Sequence, residues 1–205
     1  MKIFTTLILS FLLFSCSSIP EVKKDIVSPF YGDKNSSIQI KIYTDFECPA
    51  CIVFEEKIGK ELFEKYANNN KIGITYKMFP LNFHKNAKDD ALSVLCSSKQ
   101  GKFIEFSNKM YALEKEKKGK SVNFDDRLQI AKDVNLNETE FTTCVNEKHY
   151  LNKIESDIKE GNDIDKIRGT PSIFINGVLI DISKFRDIED FFKLIDNLTG
   201  TGKTN

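Results

Sequence analysis

A pair of cysteines lies between a strand pattern and a helix pattern, and this placement constrains the fold more than any other feature. Ile38, Ile40 and Ile42 alternate with polar residues, which is typical of a strand with one buried face. Cys48 and Cys51 then open a helical pattern, so the two thiols are expected one turn apart on one helix face. We therefore predict a reactive pair that can form and break a disulfide without moving the surrounding fold.

The first half of the chain has the order strand, helix, strand. Apolar residues between 49 and 68 have the spacing of a helix packed on a sheet. A second strand pattern covers 71–79 and ends at Pro80. This order predicts a parallel pair of strands joined by a right-handed crossover.

A long helical block follows, at about 84–162. Asn137 and Glu140 have the spacing of an N-terminal capping box inside it. The charged run 114–120 is predicted to be a solvated loop between helices rather than a binding patch.

The chain returns to strands near its end. The runs 172–175 and 178–180 are separated by Asn176-Gly177, which is a strong signal for a two-residue hairpin. An amphipathic helix is predicted over 185–198.

Together these patterns predict an α/β fold of βαβ, a helical block and ββα, in a single domain over 28–198 followed by a polar tail at 199–205. The chain has 205 residues and a net charge of zero. It therefore has no whole-molecule field that would favour nucleic acid or an anionic membrane surface.

The N-terminus has the pattern of a targeting segment. Lys2 precedes a mostly apolar stretch that is far shorter than the roughly 20 residues of a membrane span. Residues 1–15 are predicted to be a lipoprotein-type signal peptide, Cys16 the lipidated residue, and 16–27 a polar tether. An ordinary secretory signal is the alternative. Both interpretations predict export.

In an exported protein the remaining cysteines are expected to form a disulfide, because disulfides persist in oxidising compartments. Cys96 and Cys144 remain after the lipidation site and the reactive pair are set aside. A bridge between them would close a long loop and stabilise the folded state by roughly 4 kcal/mol through chain entropy. The short loop of the reactive pair would contribute roughly 2 kcal/mol. We predict a structural disulfide, with two buried free thiols as the alternative.

The two reactive thiols are expected to differ in acidity. Cys48 falls at the N-cap, and Pro49 at the first helical position, where a missing N–H costs nothing. Backbone amides and the helix dipole favour a thiolate at Cys48 and lower its pKa. Cys51 lies one turn further in, so Cys48 is predicted to be the attacking and attacked sulfur and Cys51 to resolve the mixed disulfide.

Zinc is the alternative for a C-x-x-C pair, and it needs two further ligands. Candidate ligands exist, but a second paired spacing is missing from the sequence. These candidates are Cys96, Cys144, His84 and His149.

Pro171 is the second candidate site residue. Arg168-Gly169-Thr170-Pro171 ends the helical block immediately before a strand. A trans proline at a strand start is the ordinary interpretation of this position.

The segment Asp45-Phe46-Glu47-Cys48-Pro49-Ala50-Cys51, the helical insertion and Gly169-Thr170-Pro171 together resemble the DsbA-like branch of the thioredoxin superfamily. The resemblance implies a thioredoxin-like fold with a helical insertion and no cofactor beyond the cysteines. It also implies a cis Thr170–Pro171 bond facing the cysteine pair, with Thr170 offering backbone groups to an extended substrate. Some relatives carry a further disulfide in the insertion, which favours pairing Cys96 with Cys144.

Two positions depart from the family pattern. Ala50 stands where strongly oxidising members have histidine, which predicts a weaker oxidant. Ile42 stands where a buried acid is often found, so proton transfer to Cys51 needs another group, and Asp45, Glu47 or water are the candidates.

The leading hypothesis is an exported, lipid-anchored oxidase that passes the Cys48–Cys51 disulfide to unfolded or folding exported proteins and is served by a membrane redox partner. A reductase or isomerase of the same fold is one alternative. A non-catalytic chaperone or host-binding lipoprotein is another.

Overall fold

The computed structural model describes residues 28–200. The predicted signal peptide, the lipidation site Cys16, the tether 16–27 and most of the polar tail lie outside these residues. Within 28–200, no helix has both the length and the apolar character that crossing a bilayer requires.

A five-stranded mixed sheet forms the centre of the molecule, in the order β1-β3-β2-β4-β5. β2 and β3 are parallel, as predicted, while β1, β4 and β5 each run antiparallel to their neighbours. The strands are Phe30–Gly32 (β1), Gln39–Thr44 (β2), Gly73–Met78 (β3), Ser172–Ile175 (β4) and Val178–Ile180 (β5). The predicted α/β class and element order are confirmed.

Residues 28–200 contain seven α-helices, which cover the sheet and form the helical insertion. They are Pro49–Phe54 (α1), Ala87–Ser98 (α2), Phe103–Lys117 (α3), Phe124–Asp133 (α4), Glu138–Asn146 (α5), Leu151–Asp163 (α6) and Ile188–Leu198 (α7). α2 is the core of the insertion, because its residues from Asp90 to Ser97 are all buried.

The helix predicted over 49–68 is continuous but changes its winding. After α1 it continues as π-helical segments at Glu55–Gly59 and Leu62–Ala67. Gly59 leaves room for the buried Glu55 carboxylate, since a Cβ at Gly59 would lie 2.2 Å from Glu55 Oε2. Any larger residue at position 59 would have to displace that carboxylate.

The predicted loop at 114–120 is wrong in its first half. α3 continues to Lys117, and Lys118 ends it in the left-handed conformation with a φ of 50°. Glu114 is only 4% exposed, because it packs inside the insertion near Asp90 and Arg127. The charged run therefore includes one buried glutamate, and composition alone does not distinguish it from its exposed neighbours.

Smaller differences concern two additional elements, one helix cap and the start of α7. β1 and α4 are additional elements, and α4 starts with a capping box between Asn123 and Asp126. Only half of the capping box predicted at Asn137 is present: its side chain accepts from the Glu140 amide at 3.0 Å, but its own amide donates to Gln100 Oε1 at 2.7 Å rather than to Glu140. α7 begins three residues later than predicted, after an N-cap at Asp187.

Candidate active site

The loop between β2 and α1 is fixed by the buried carboxylate of Asp45. Its Oδ1 accepts from the Glu47 amide at 2.9 Å, and its Oδ2 accepts from the Leu81 amide at 2.7 Å. His84 Nδ1 lies 2.7 Å from the same Oδ2. The segment before Cys48 is thereby tied to the segment that follows β3.

Glu47 connects the same loop to the helical insertion. Its Oε2 accepts from the backbone amides of Asn86 and Ala87, both at 2.7 Å. A carboxylate at this place satisfies the first free amides of α2 and complements the helix dipole. The residue next to Cys48 therefore anchors the N-terminus of the most buried helix of the insertion.

Cys48 and Cys51 occupy the start of α1 as unbonded thiols. Cys48 is the N-cap residue with extended backbone angles, and Pro49 takes the first helical position. Cys48 keeps 7% exposure, whereas Cys51 is fully buried at 0%. An incoming thiol can therefore reach Cys48 but not Cys51.

Thr170 and Pro171 lie directly beside this pair, at the start of β4. The Thr170–Pro171 peptide bond is cis, and Cys48 Sγ is 3.3 Å from the carbonyl oxygen of Thr170. The Thr170 hydroxyl is buried and has no hydrogen-bond partner of regular geometry within the described chain. This hydroxyl is thus free to interact with the sulfurs.

The environment strongly favours a thiolate at Cys48. Its pKa is lowered from an ordinary 9.0 to about 5, chiefly because the Cys51 side chain hydrogen-bonds to its sulfur. The Thr170 hydroxyl and the amides of Cys51 and Ala50 lower this pKa further, while partial burial opposes them. The thiol makes no regular cap hydrogen bond, so the amides act at longer range.

Cys51 responds in the opposite direction. Burial raises its pKa well above the ordinary value, and the hydrogen bond to Cys48 and the negative charge there raise it further. The pKa of Cys48 is therefore low and that of Cys51 is high. This difference is expected if Cys48 is the reactive sulfur and Cys51 the resolving one.

Glu55 is the buried acid that the sequence reasoning missed. It follows Cys51 by one helical turn and so lies on the same side of the helix. Burial raises the pKa of Glu55 from 4.5 to about 7. The negative charges of Cys51 and Glu55 both raise the pKa of Tyr111, which places the three groups in one buried region. The i, i+4 spacing from Cys51 was the available signal.

The remaining candidate ligands for a metal are not assembled around the pair. Cys96 and Cys144 form a disulfide with an S–S distance of 2.03 Å that joins α2 to α5. His149 lies against Glu147 at 2.7 Å, and His84 is held by Asp45 as described above. Among residues 28–200 there is no group of three acidic, histidine or cysteine side chains arranged to hold a metal ion.

A mixed sheet, a C-x-x-C pair at a helix start and an adjacent cis proline define a thioredoxin-like dithiol protein. The family model described as Thioredoxin matches residues 24–197, so the chain belongs to this thioredoxin family. The predicted DsbA-like resemblance is confirmed by the structural comparison. The thiol-disulfide exchange protein α-DsbA2 from Wolbachia pipientis superposes with a TM-score of 0.69 at 20% identity, over 83% of this chain and 87% of that one. That likeness shows a common fold.

Two sequence relatives carry names of the same kind. A Rickettsia felis protein named as a protein-disulfide oxidoreductase is 26% identical over 148 residues, which are 72% of this chain and 52% of that protein. A Bacillus cereus protein named as disulfide bond formation protein D is 24% identical over 172 residues, covering 80% of this chain and 76% of its own length. The chain spans about half the length of the Rickettsia relative.

Proposed function

We propose that this protein is an exported thiol–disulfide oxidoreductase that donates the Cys48–Cys51 disulfide to the thiols of folding client proteins. One observation carries the proposal. The Sγ atom of Cys48, which is partly exposed, lies 3.3 Å from the carbonyl oxygen of Thr170 in the cis peptide. The names of the relatives support the same activity.

The exchange proceeds through two displacements at sulfur. A client thiolate attacks Cys48 of the oxidised pair, so that a client–Cys48 bond forms, the Cys48–Cys51 bond breaks, and Cys51 leaves as the thiolate. A second client thiolate then attacks the client sulfur and expels Cys48 as a thiolate. Two electrons pass from the client to the pair, and the client gains one disulfide.

The leaving sulfur at Cys51 requires a proton, because burial makes its thiolate unfavourable. Glu55 supplies this proton: its pKa of about 7 keeps a substantial protonated fraction at neutral pH. The candidates Asp45 and Glu47 are instead occupied with backbone amides.

The acidity of Cys48 supports transfer of the disulfide from this protein to its clients. A stabilised thiolate favours the reduced pair, so the oxidised pair gives its disulfide away readily. Ala50 offers no imidazole to this thiolate, which makes the protein a weaker oxidant than relatives with histidine there. A membrane redox partner then reoxidises Cys48 and Cys51.

Thr170 and Pro171 form the proposed substrate edge. The backbone groups of Thr170 pair with an extended client segment, in the manner of an added strand. The proximity of the Thr170 carbonyl to Cys48 Sγ supports this, because a client segment paired there would carry its cysteine to the reacting sulfur.

Export and anchoring complete the proposal. The N-terminal pattern of residues 1–15 and Cys16 supports a lipid-anchored exported protein, tethered through 16–27. A disulfide between Cys96 and Cys144 supports the same location, because such bonds persist mainly in oxidising compartments.

The test is to trap the client intermediate. In Cys51→Ala the internal disulfide cannot form, but the Cys48 thiolate can still attack a client disulfide, forming a client–Cys48 bond and releasing one client thiolate. Cys51 is then missing as the sulfur that would release the client, so we expect client–Cys48 mixed disulfides to accumulate in cells and to be cleaved under reducing conditions. Cys48→Ala is the matched control, because it keeps the same cysteine count without the reachable sulfur. Equal adducts in both variants, or none in Cys51→Ala, would contradict the function and favour a non-catalytic binding protein.

A further inference from the structure

A groove opens beside the cysteine pair, on the side formed by α1 and the insertion. It has a volume of about 710 Å³ and includes Glu47 and Pro49, the neighbours of Cys48 on either side. The opposite boundary is formed by residues before α2 and after α3. A segment bound in this groove would therefore lie next to the reacting sulfur.

One wall of the groove is apolar and exposed. Val53, on α1, keeps 49% exposure, and Phe83, in the loop after β3, keeps 76%. Exposed apolar side chains grouped next to a reactive site favour contact with another apolar group. Phe83 packs edge-on against the His84 ring, with centroids 4.5 Å apart, and still keeps most of its surface exposed.

The rim of the groove is positively charged. Lys85 and Lys118 line it and form no ion pair within the described residues. Lys115, also on the rim, is neutralised by Glu56 at 2.6 Å. The two unpaired ammonium groups leave a positive field at the groove that complements an acidic ligand.

A buried pair of acids lies at the inner end of the groove. Glu114 lines the groove with only 4% exposure, and its carboxyl group is hydrogen-bonded to that of Asp90. Burial, followed by the negative charge of Asp90 and the hydrogen bond to it, raises the pKa of Glu114. This acid therefore does not repel an anionic ligand at neutral pH.

We propose that this groove binds the client segment adjacent to the exchanging cysteine and selects segments that combine an aromatic or aliphatic side chain with an acidic one. The apolar side chain packs on Val53 and Phe83, and the acidic side chain meets Lys85 and Lys118. This selection rests on the proposed thiol–disulfide function and adds a substrate preference to it.

The experiment compares two synthetic peptides that differ only in charge. Each carries one cysteine and one phenylalanine, with either two aspartates or two lysines at the same positions. The oxidised full-length protein is mixed with each peptide, and every peptide rate is divided by the rate of the same variant with dithiothreitol. Versions with serine in place of cysteine are used to measure binding by fluorescence anisotropy, independently of exchange.

The matched variants are two double charge reversals. Lys85→Glu with Lys118→Glu alters the rim, whereas Lys99→Glu with Lys148→Glu makes the same change of net charge at exposed lysines outside the groove. We expect the unaltered protein and the control to prefer the acidic peptide by at least about threefold. The rim variant should lose or invert this preference in both rate and binding.

Val53→Ser tests the apolar wall, and it should weaken binding of both peptides because they share the phenylalanine. Equal rates and binding for the two peptides, or the same preference in the rim variant as in the control, would overturn the groove assignment. A dimer that the rim reversal dissociates would overturn it too, since a second copy would then be the occupant. Absence of any exchange with dithiothreitol would refute the proposed function instead, and the serine peptides would still decide whether the groove binds.

Discussion

Glu55→Gln should change how the stability of the protein depends on pH. The folded state holds the proton of Glu55 more tightly than the unfolded chain, because burial raises its pKa from 4.5 to about 7. This contribution to stability is fully present below pH 4.5 and is lost as the pH rises through about 7. At roughly 1.4 kcal/mol per pKa unit, the total loss is about 3.5 kcal/mol, of which about 3 kcal/mol falls between pH 4.5 and pH 8.

Glutamine has nearly the same shape as glutamate but no charge to desolvate. Relative to the unaltered protein, the variant should therefore gain about 3 kcal/mol in the free energy of unfolding between pH 4.5 and pH 8. Urea titrations at both pH values, with the cysteine pair in the same redox state, measure this difference. Asp90 and Glu114 also have raised pKa values, so only the difference between the two proteins isolates Glu55.

Glu116→Gln is the matched control, because Glu116 is exposed on α3 and forms no ion pair within 28–200. It should leave the pH dependence unchanged. If Glu55→Gln gave the same pH dependence as the unaltered protein, Glu55 would not be a desolvated acid and could not serve as the proton source for Cys51.

Other changes test separate parts of the structure. Thr170→Val should raise the pKa of Cys48, because it removes a hydroxyl that stabilises the thiolate; thiolate absorbance in the ultraviolet measures it, and an unchanged pKa would contradict this role. Replacing both Cys96 and Cys144 with Ser should lower the free energy of unfolding by about 4 kcal/mol, because their bridge closes a long loop; denaturant unfolding that shows no loss would exclude the bridge. Asp157→Asn should lower the free energy of unfolding by roughly 3–5 kcal/mol, since it breaks buried contacts with Lys77 and Lys153. A loss of less than about 1 kcal/mol in denaturant unfolding would show that these contacts stabilise the fold little.

The parts of the site that follow from local sequence were predictable. A strand pattern, two cysteines and a helix pattern in immediate succession leave Cys48 at a helix N-terminus by chain geometry alone. The position of Thr170 and Pro171 beside the pair is different, because Thr170 follows Cys51 by 119 positions in the chain. That proximity was predicted only through the family resemblance.

The features that sequence reasoning missed depend on burial. Glu55 and Glu114 have the same side chain as many exposed glutamates of this chain, and their environment is set by residues distant in sequence, such as Tyr111 and Asp90. The short edge strand β1 was missed for a related reason, because its pairing with β3 creates it and its three residues carry too little pattern. The capping box of α4 was visible in Asn123 and Asp126 but was not recognised.

The central claim is that the fold makes Cys48 an acid and Cys51 a buried thiol. Titrating thiolate absorbance in the reduced protein, with Cys48→Ala to assign the signal, tests this claim most directly. The structure predicts a transition near pH 5 that disappears in Cys48→Ala. A Cys48 transition close to the ordinary pKa of 9.0 would contradict the claim.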